Sequence, residues 1–182
     1  VWTPAGWSYG GTAASPHIAT LGRTIQDIQA KFTGGPDGVD VQLERARYAG
    51  GSFKGLVAVD TGEKGPGTPV ALDLDLADLS IHQLLADQFP GEELAIVGGL
   101  SGRTSGTFEY RFNTERVLAG SGQARLHVRG TSETGLAVTG DLPVLLDRGV
   151  ISGHGLHLTL PGQGVTSSGF TYDLQRNQGQ LD

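Results

Sequence analysis

The residues best suited to chemistry are three aspartates in the segment ALDLDLADLS, at Asp73, Asp75 and Asp78. In a strand, Asp73 and Asp75 share a face and lie about 7 Å apart, which could suit a carboxylate pair or a calcium ion. A calcium site needs several more oxygen ligands and a glycine-directed turn, which this segment lacks. We therefore interpret these aspartates as the solvated side of an amphipathic strand.

Two histidines have the HxxH spacing, at His154 and His157. In a strand, residues three apart point to opposite faces, so this pair cannot easily share a metal ion. The phrase GGPDGVD at 34–40 is similar to a calcium-binding nonapeptide repeat, but it has aspartate at the fourth position and occurs once. A single imperfect copy indicates a turn, and we predict no metal site.

Catalytic motifs are absent from the sequence. No serine stands in a GxSxG elbow, and no glycine-rich segment matches a P-loop or a dinucleotide fingerprint. The chain has no cysteine, which excludes a thiol nucleophile, a disulfide framework and a thiolate metal site. Two carboxylates could still meet in space, as in a glycosidase, but no spacing points to such a pair. We predict no catalytic residues, no cofactor and no enzymatic activity.

Composition narrows the class of protein. The 182 residues include 30 glycines without a Gly-X-Y period, which is typical of many short strands separated by turns. The net charge of -6 comes from 13 basic and 19 acidic residues without a basic stripe, so we expect no nucleic-acid partner. No apolar run approaches the roughly 18 residues of a membrane span. Because the chain starts at Val1 and has no methionine, we expect a piece of a longer protein.

The elements that would position any site are strands with one apolar face. The clearest pair lies in 100–130, where a strand with an aromatic stripe and a strand with an aliphatic stripe are joined by a polar connection at 113–122. Apolar and polar residues alternate strictly in both, as in strands with one dry and one wet face. The same alternation recurs along the chain, so we predict an all-β fold with an antiparallel or mixed sheet.

Three stretches interrupt this pattern. Ile25 is out of phase with Ile28 and Phe32, which indicates a β-bulge, although the same spacing also fits a helix. Residues 61–69 form the most turn-rich loop in the first half of the chain. Ser80 is a suitable N-cap for a short helix over 81–88, within a helical insertion at 80–91 that we expect to cover an end or an edge of the sheet.

Several phrases resemble the AsmA-like superfamily of envelope proteins, and most of all its TamB branch. GWSYGGTAASPHIA at 6–19 is similar to the family phrase G-x-x-GTAxxP-x-IxG, with the last glycine displaced. ERARYAGGSFKGLVAVD at 44–60 and ALDLDLADLSIHQLLA at 71–86 resemble its strand, glycine-pair and short-helix phrases. LSGRTSGTFEYRF followed by LAGSGQARLHV resembles its LSGxxSG continuation. The resemblance covers nearly the whole chain.

The resemblance implies that residues 1–182 form a single β-taco segment, a curled sheet with an apolar concave face. It implies a hydrophobic groove in the periplasm of a two-membrane bacterium, within a parent protein anchored in the inner membrane. Such proteins are implicated in phospholipid transport between the membranes, and the TamB branch also in outer-membrane protein assembly with an Omp85-type partner. The expected ligands are phospholipid acyl chains.

The apolar stripes supply the candidate groove residues. Without the resemblance, the periodicity alone favours the closed core of a sandwich or barrel over an open groove, because closed cores are commoner. Two further functions remain open, a scaffold that binds another β-protein by strand addition and a β-solenoid of an adhesin or a polysaccharide-active enzyme. The expected groove wall comprises Val70, Leu72, Leu74, Leu76, Phe108, Tyr110, Phe112, Leu126, Val128, Leu156, Leu158, Leu160, Phe170, Tyr172 and Leu174.

Overall fold

The fold is all-β, with a single short helix in the described part of the chain. The computed structural model describes residues 2–3, 6–20, 23–62, 65–88, 101–131, 137–160, 163–176 and 178–181. The elements are β1 (Trp2–Thr3), β2 (Gly6–Trp7), β3 (Tyr9–Thr20), β4 (Arg23–Gly34), β5 (Gly38–Tyr48), β6 (Gly51–Asp60), β7 (Pro69–Ser80), α1 (Ile81–Gln88), β8 (Ser101–Asn113), β9 (Arg116–Thr131), β10 (Ala137–Asp147), β11 (Val150–Leu160), β12 (Gln163–Asp173) and β13 (Gln178–Leu181).

Eleven strands form one antiparallel sheet in strict sequence order from β3 to β13, and β1 and β2 pair separately. The predicted all-β architecture is confirmed: the sheet is curled and is not closed on itself. Within the described residues, each strand of this sheet makes its extensive contacts with the strands beside it in the sheet, and α1 contacts β7 and β8. The large sheet is therefore built strand by strand along this part of the chain.

Tight hairpin turns keep neighbouring strands in register. Ala49 and Gly50 join β5 to β6 with φ angles of 48° and 71°, and Arg148 and Gly149 join β10 to β11 with φ angles of 49° and 85°. Two-residue connections with positive φ at both positions match the twist of antiparallel strands. These turns explain why such long strands can follow one another with almost no loop.

The connection between β8 and β9 is much shorter than the sequence suggested. The predicted polar connection at 113–122 is wrong, because β9 already begins at Arg116. Thr114 and Glu115 alone make the turn, and the side-chain carbonyl of Asn113 accepts a hydrogen bond from the Glu115 amide at 3.0 Å. The glycines of the segment VLAGSG hide the alternation of the strand, so its sequence resembles a connection.

β-Bulges shift the apolar phase of several strands at the same end of the sheet. The bulge expected near Ile25 is confirmed, since the register of β4 against β5 shifts between Gln26 and Gln29; residues 25–32 are strand, not helix. A second bulge lies between Leu76 and Leu79 in β7, where Asp78 has a φ angle of 58°. Bulges increase local twist, which helps the sheet to curl.

An arginine of the neighbouring strand holds the bulge in β7. The Arg103 guanidinium donates hydrogen bonds to the carbonyl oxygens of Asp78 and Gly50, at 2.7 and 3.2 Å. Its Nη1 also lies 3.4 Å from a carboxylate oxygen of Asp78. These bonds connect β8 to the bulge and to the β5–β6 turn, so that one end of the sheet is braced across several strands.

The predicted helix is confirmed as α1. The Ser80 hydroxyl accepts a hydrogen bond from the backbone amide of Gln83 at 3.3 Å, as expected of an N-cap. The Ile81 side chain lies over Gly102 of β8, with its Cδ1 3.2 Å from the position that a Cβ would take. The helix therefore sits at one end of the sheet, beside the buried side chains of Leu79 and Thr104. The end of the predicted insertion, after residue 88, lies outside the described residues.

Candidate functional site: an uncovered apolar face

One face of the sheet carries an unbroken row of apolar residues and glycines, which we call the crossing row. Each member is the direct cross-strand partner of the next, from β3 at one edge to β13 at the other. At the usual spacing between strands the crossing row is about 48 Å long. Its members are Gly11, Phe32, Val41, Val57, Leu72, Tyr110, Gly122, Leu146, Ile151, Tyr172 and Gly179.

Two further rows on the same face flank the crossing row on one side, and both are also free of polar side chains. The second row runs from β3 to β10 and the third from β5 to β10. Together, the three rows make a continuous apolar surface several residues wide. They consist of Ala13, Ala30, Leu43, Gly55, Leu74, Phe108, Ala124 and Val144, and of Ala46, Phe53, Leu76, Gly106, Leu126 and Leu142.

This apolar face is only partly shielded from solvent. Leu72, Leu74, Phe108, Tyr110 and Leu126 are all half-buried. Fully buried hydrophobic residues are mostly small, and none of the large side chains in the described residues is completely enclosed. A sandwich or barrel core would bury its large side chains against a second sheet. Within the described residues, the sheet is therefore not closed over this face, and α1 lies over it at one end.

The opposite face is polar. The row behind the crossing row includes Lys31, Gln42, Asp73, Glu109 and Gln123 in consecutive or nearly consecutive strands. The two exposed apolar exceptions in it are Leu56 and Leu145. Water solvates this polar and charged face well. The apolar face is therefore the surface of the sheet that water solvates poorly.

Aromatic rings lie over glycines on the apolar face. The Tyr110 ring covers Gly122 of β9, where a Cβ would be 2.9 Å from its Cδ2. In the same way Phe32 covers Gly11, with Cζ 3.0 Å from the Cβ position, and Tyr172 covers Gly179, with Cδ2 at 2.8 Å. Each aromatic residue of the crossing row thus lies down on a neighbouring glycine. This arrangement keeps the surface smooth, since the rings do not stand up as ridges.

Three aromatic side chains follow one another along β8. The ring centroids of Phe108 and Tyr110 are 6.0 Å apart, and those of Tyr110 and Phe112 are 5.5 Å apart. The Tyr110 hydroxyl donates a hydrogen bond to the carbonyl of Val117 at 2.6 Å. Because its one polar atom is bonded to the backbone, Tyr110 presents a hydrocarbon surface to the apolar face.

Burial and the backbone around Tyr110 affect its ionisation. Burial raises the pKa of Tyr110 above its usual 10.0, and a hydrogen bond with the backbone of Gly120 opposes part of that rise. In the unfolded chain, the Tyr110 hydroxyl loses its proton near pH 10, at a lower pH than in the folded chain. The contribution of the neutral Tyr110 side chain to the free energy of unfolding is therefore fully present below pH 10, and it is lost as the pH rises through the folded-state pKa.

Replacement of Tyr110 by phenylalanine tests both the hydrogen bond of the hydroxyl to Val117 and the raised pKa of Tyr110. We expect Tyr110→Phe to lower the free energy of unfolding by about 1 kcal/mol at pH 8, through loss of the hydrogen bond to Val117. We also expect its stability to fall less steeply than that of the wild type above pH 10. Urea unfolding at pH 8, 10 and 11 measures both effects, and parallel alkaline losses in the two proteins would contradict the assignment.

The expected groove residues fall into four groups. All nine in β7, β8 and β9 lie on the apolar face, and Val128 is fully buried there beside Thr104. Phe170 and Tyr172 lie on the same face through their partners Gly153 and Ile151. Leu174 lies in the turn after β12, outside any strand. The side chains of Leu156, Leu158 and Leu160 lie outside the described part of the structure, and the backbone places Leu158 opposite Gly140.

Sequence reasoning missed much of this face. Strands β4, β5, β6 and β10 contribute side chains as central as those that were predicted, and the same period-two alternation would have found them. They are Phe32, Val39, Val41, Phe53, Val57, Val59, Leu142, Val144 and Leu146. The placement of aromatic rings on glycines could not be read from the sequence, because it depends on the register between strands.

The three aspartates considered as a carboxylate or calcium site lie on the polar surface, and two of them are paired with basic side chains. Asp75 lies 3.8 Å from the Lys54 ammonium, and Asp78 lies between the guanidinium groups of Arg103 and Arg129. Asp73 faces Glu109 across the strand pair. Among the described residues, no group of three or more histidine and acidic side chains could hold a metal ion. These aspartates therefore form the solvated face that the sequence predicted.

One histidine and one aspartate form a close contact on the polar face. His127 Nδ1 and Asp141 Oδ1 are 2.9 Å apart, and both side chains are exposed. Ser105 is the cross-strand neighbour of His127, but its hydroxyl accepts a hydrogen bond from the Asp78 amide at 2.9 Å. An exposed contact of this kind on an open strand surface contributes little to stability, and it lacks the enclosed pocket that acid–base catalysis uses.

Comparison with known proteins adds no relative. No protein-family model, curated protein or solved structure matches the chain. Within the described residues, no helix is long and apolar enough to cross a membrane. The geometry of the apolar face is therefore the basis for the functional argument.

Proposed function

We propose that this chain is a non-enzymatic segment of a hydrophobic groove that binds and conducts phospholipid acyl chains. The crossing row carries the proposal, because it spans all eleven strands of the large sheet and its only polar side-chain groups are the hydroxyls of Tyr110 and Tyr172. The Tyr110 hydroxyl donates its hydrogen bond to the backbone of Val117. A large open apolar surface is costly in water and is typical of a binding site. Its length and smoothness suit a long flexible chain better than a compact ligand.

The energetics of such a surface suit movement. Each methylene that leaves water for the apolar face gains about 0.8 kcal/mol, irrespective of its position along the row. The three rows repeat similar side chains from strand to strand. An acyl chain would therefore bind with nearly the same free energy at each position along the rows. Weak specificity along the groove favours sliding, whereas a closed pocket favours capture.

The cellular role in this proposal follows the sequence resemblance to AsmA-like and TamB-type proteins. The parent protein would be anchored in the inner membrane of a two-membrane bacterium, with this segment in the periplasm. It would carry phospholipid between the membranes or assist outer-membrane protein assembly with an Omp85-type partner. The open curled sheet supports this reading over a β-solenoid, whose stacked coils usually build parallel sheets.

Site-specific photo-crosslinking tests the proposal. A benzoylphenylalanine at position 108 would lie on the apolar face, and one at the adjacent position 109 would lie on the polar face. We expect chain produced in a two-membrane bacterium to crosslink phospholipid from position 108 but not from position 109. Organic extraction and mass spectrometry of the unmodified protein should find co-purified phospholipid. Absence of lipid from the extract and from both crosslinkers would refute the function.

A second function has one specific observation in its favour. Strand β3 stands at the edge of the sheet, and a strand at an edge can pair with a strand from another protein. A strand-addition scaffold would therefore use β3 rather than the apolar face. Lipid loading that persists when β3 is altered, with loss of a bound β-protein, would identify the scaffold function.

A further inference from the structure

The apolar face has two different ends along the direction of the strands. At one end lie the turns at 35–37 and 114–115 and the connection between β6 and β7, and we call this end the turn rim. At the other end lies α1, which follows directly after β7. Along β7, Val70 is therefore close to the turn rim and Leu79 is close to α1.

The half of the face next to α1 is the drier half. The fully buried side chains of the face lie in the second row or closer to α1 than the second row. The Thr104 hydroxyl among them donates a hydrogen bond to the carbonyl of His127 at 3.3 Å, so it does not offer a free polar group. These buried residues are Ala30, Leu43 and Ala124 in the second row, Ala46 in the third row, and Leu79, Thr104, Val128 and Val138 nearer to α1.

The half of the face next to the turn rim is more exposed. One further row, which we call the rim row, lies between the crossing row and the turn rim. None of its members is fully buried, and neither is any member of the crossing row. Beyond it the surface becomes polar, since the Thr114 amide donates a hydrogen bond to the carbonyl of Thr68 at 3.0 Å. The rim row consists of Val39, Val59, Val70 and Phe112.

Irregularities in the strands explain the difference between the two halves. The register shifts in β4, β5 and β7 all lie between the second row and α1, where they increase twist and curl the sheet around this half. Ile81 of α1 adds cover there by lying over Gly102. At the turn rim, a register shift of β9 has the opposite result, because it leaves Val117 and Leu118 43% and 50% exposed.

We propose that phospholipid lies along the strands of this face, with the methyl ends of its acyl chains towards α1 and its headgroup at the turn rim. The inference rests on the proposed lipid-binding function and adds an orientation to it. A lipid is most stable when its apolar end displaces water from the driest surface and its headgroup stays hydrated. The reverse orientation would desolvate a charged phosphate against the buried side chains beside α1.

The dimensions of the face agree with one acyl chain in this orientation. Val70 in the rim row and Leu76 in the third row are six residues apart in β7, which corresponds to about 20 Å. An acyl chain in one leaflet of a bilayer spans about 15 Å, half of the hydrocarbon core. A chain that begins at the rim row would therefore end between the second and third rows, where the buried side chains begin. Successive lipids could then move along the crossing row without turning.

Three labelled positions on β7 test the orientation. The chain has no cysteine, so Val70→Cys, Asp73→Cys and Leu76→Cys each carry a single bimane fluorophore. Each protein is loaded with phosphatidylcholine that bears a nitroxide either on the headgroup or near the methyl end of one acyl chain. Nitroxide quenching falls steeply with distance, and the rim-row and third-row positions are about 20 Å apart. We therefore expect the headgroup nitroxide to quench position 70 more strongly than position 76, by about twofold or more, and the chain-end nitroxide to do the reverse.

Asp73→Cys is the matched control, because Asp73 is exposed on the polar face of the same strand. It should be the least quenched of the three by both lipids. Val59→Cys and Leu126→Cys repeat the comparison between the rim row and the third row in β6 and β9, and circular dichroism should show that the labelled variants keep their strands.

Two results would overturn the orientation and leave lipid binding in place. They are equal quenching of the two apolar positions by each lipid, and quenching in the reverse order. A different result would refute the proposed function together with the orientation. In that case, neither lipid would quench an apolar position more than it quenches the control on the polar face.

Discussion

Leu126→Arg is expected to abolish phospholipid loading while the sheet remains folded. Leu126 lies in the third row of the apolar face, between Gly106 and Leu142. It is half-buried, and Gly106 opposite it leaves room for a longer side chain to bend towards solvent. A guanidinium in this surface would have to be desolvated by any acyl chain that passes over it, which costs several kcal/mol for an unpaired charge.

The control for this variant is Gln123→Arg on the same strand. Gln123 lies on the polar face, where its amide donates a hydrogen bond to Glu109 at 3.1 Å, so an arginine there would meet a carboxylate. Both proteins carry the same added charge in β9. Extracted phospholipid per mole of protein should fall to background in Leu126→Arg and stay at the wild-type level in Gln123→Arg. Equal lipid content in the two variants would show that acyl chains do not use the apolar face.

Gly106→Ala is expected to cause the largest loss of stability from a single methyl group. Gly106 has a φ angle of 152°, which side chains rarely adopt. A Cβ at this position would overlap the carbonyl oxygen of Arg125 and would lie 3.0 Å from the Cα of Leu126. The backbone of β8 or β9 must therefore move, and we expect the free energy of unfolding to fall by about 2–4 kcal/mol.

Gly65→Ala is the matched control, because a Cβ at Gly65 would meet no atom within 4 Å. The added methyl group reduces the conformational freedom of the unfolded chain and does not strain the folded one. The free energy of unfolding should therefore change by no more than about 0.5 kcal/mol. Urea unfolding followed by circular dichroism measures both variants. Similar midpoints for the two would mean that β8 and β9 are not held as closely as the structure indicates.

The all-β fold could be predicted because the alternation of apolar and polar residues is a local property. Leu72 and Leu74 share a face whatever their partners are, and the helix start at Ser80 depends only on its own first turn. The bulge near Ile25 was also visible, since it leaves a break in the period. Each of these features depends only on the residues of a single strand or turn.

Relations between strands could not be predicted in the same way. Whether Tyr110 faces Gly122 depends on the register of β8 against β9, which the two-residue turn sets. The same glycine-rich stretch that receives this ring disguised the start of β9. The openness of the apolar face was likewise undecided, because a stripe such as Phe108 to Phe112 is identical in a closed core and in an open sheet.

The strict sequence order of the strands makes the sheet a nearly one-dimensional chain of interactions. Each strand is stabilised by the one before and the one after it, as in repeat proteins whose stability is a sum over nearest neighbours. Insertion of one further hairpin would lengthen the apolar surface by roughly 10 Å and would interrupt only one existing strand–strand contact. Duplication of hairpins could therefore change the length of the apolar surface in small, regular steps, and no step would require a new hydrophobic core.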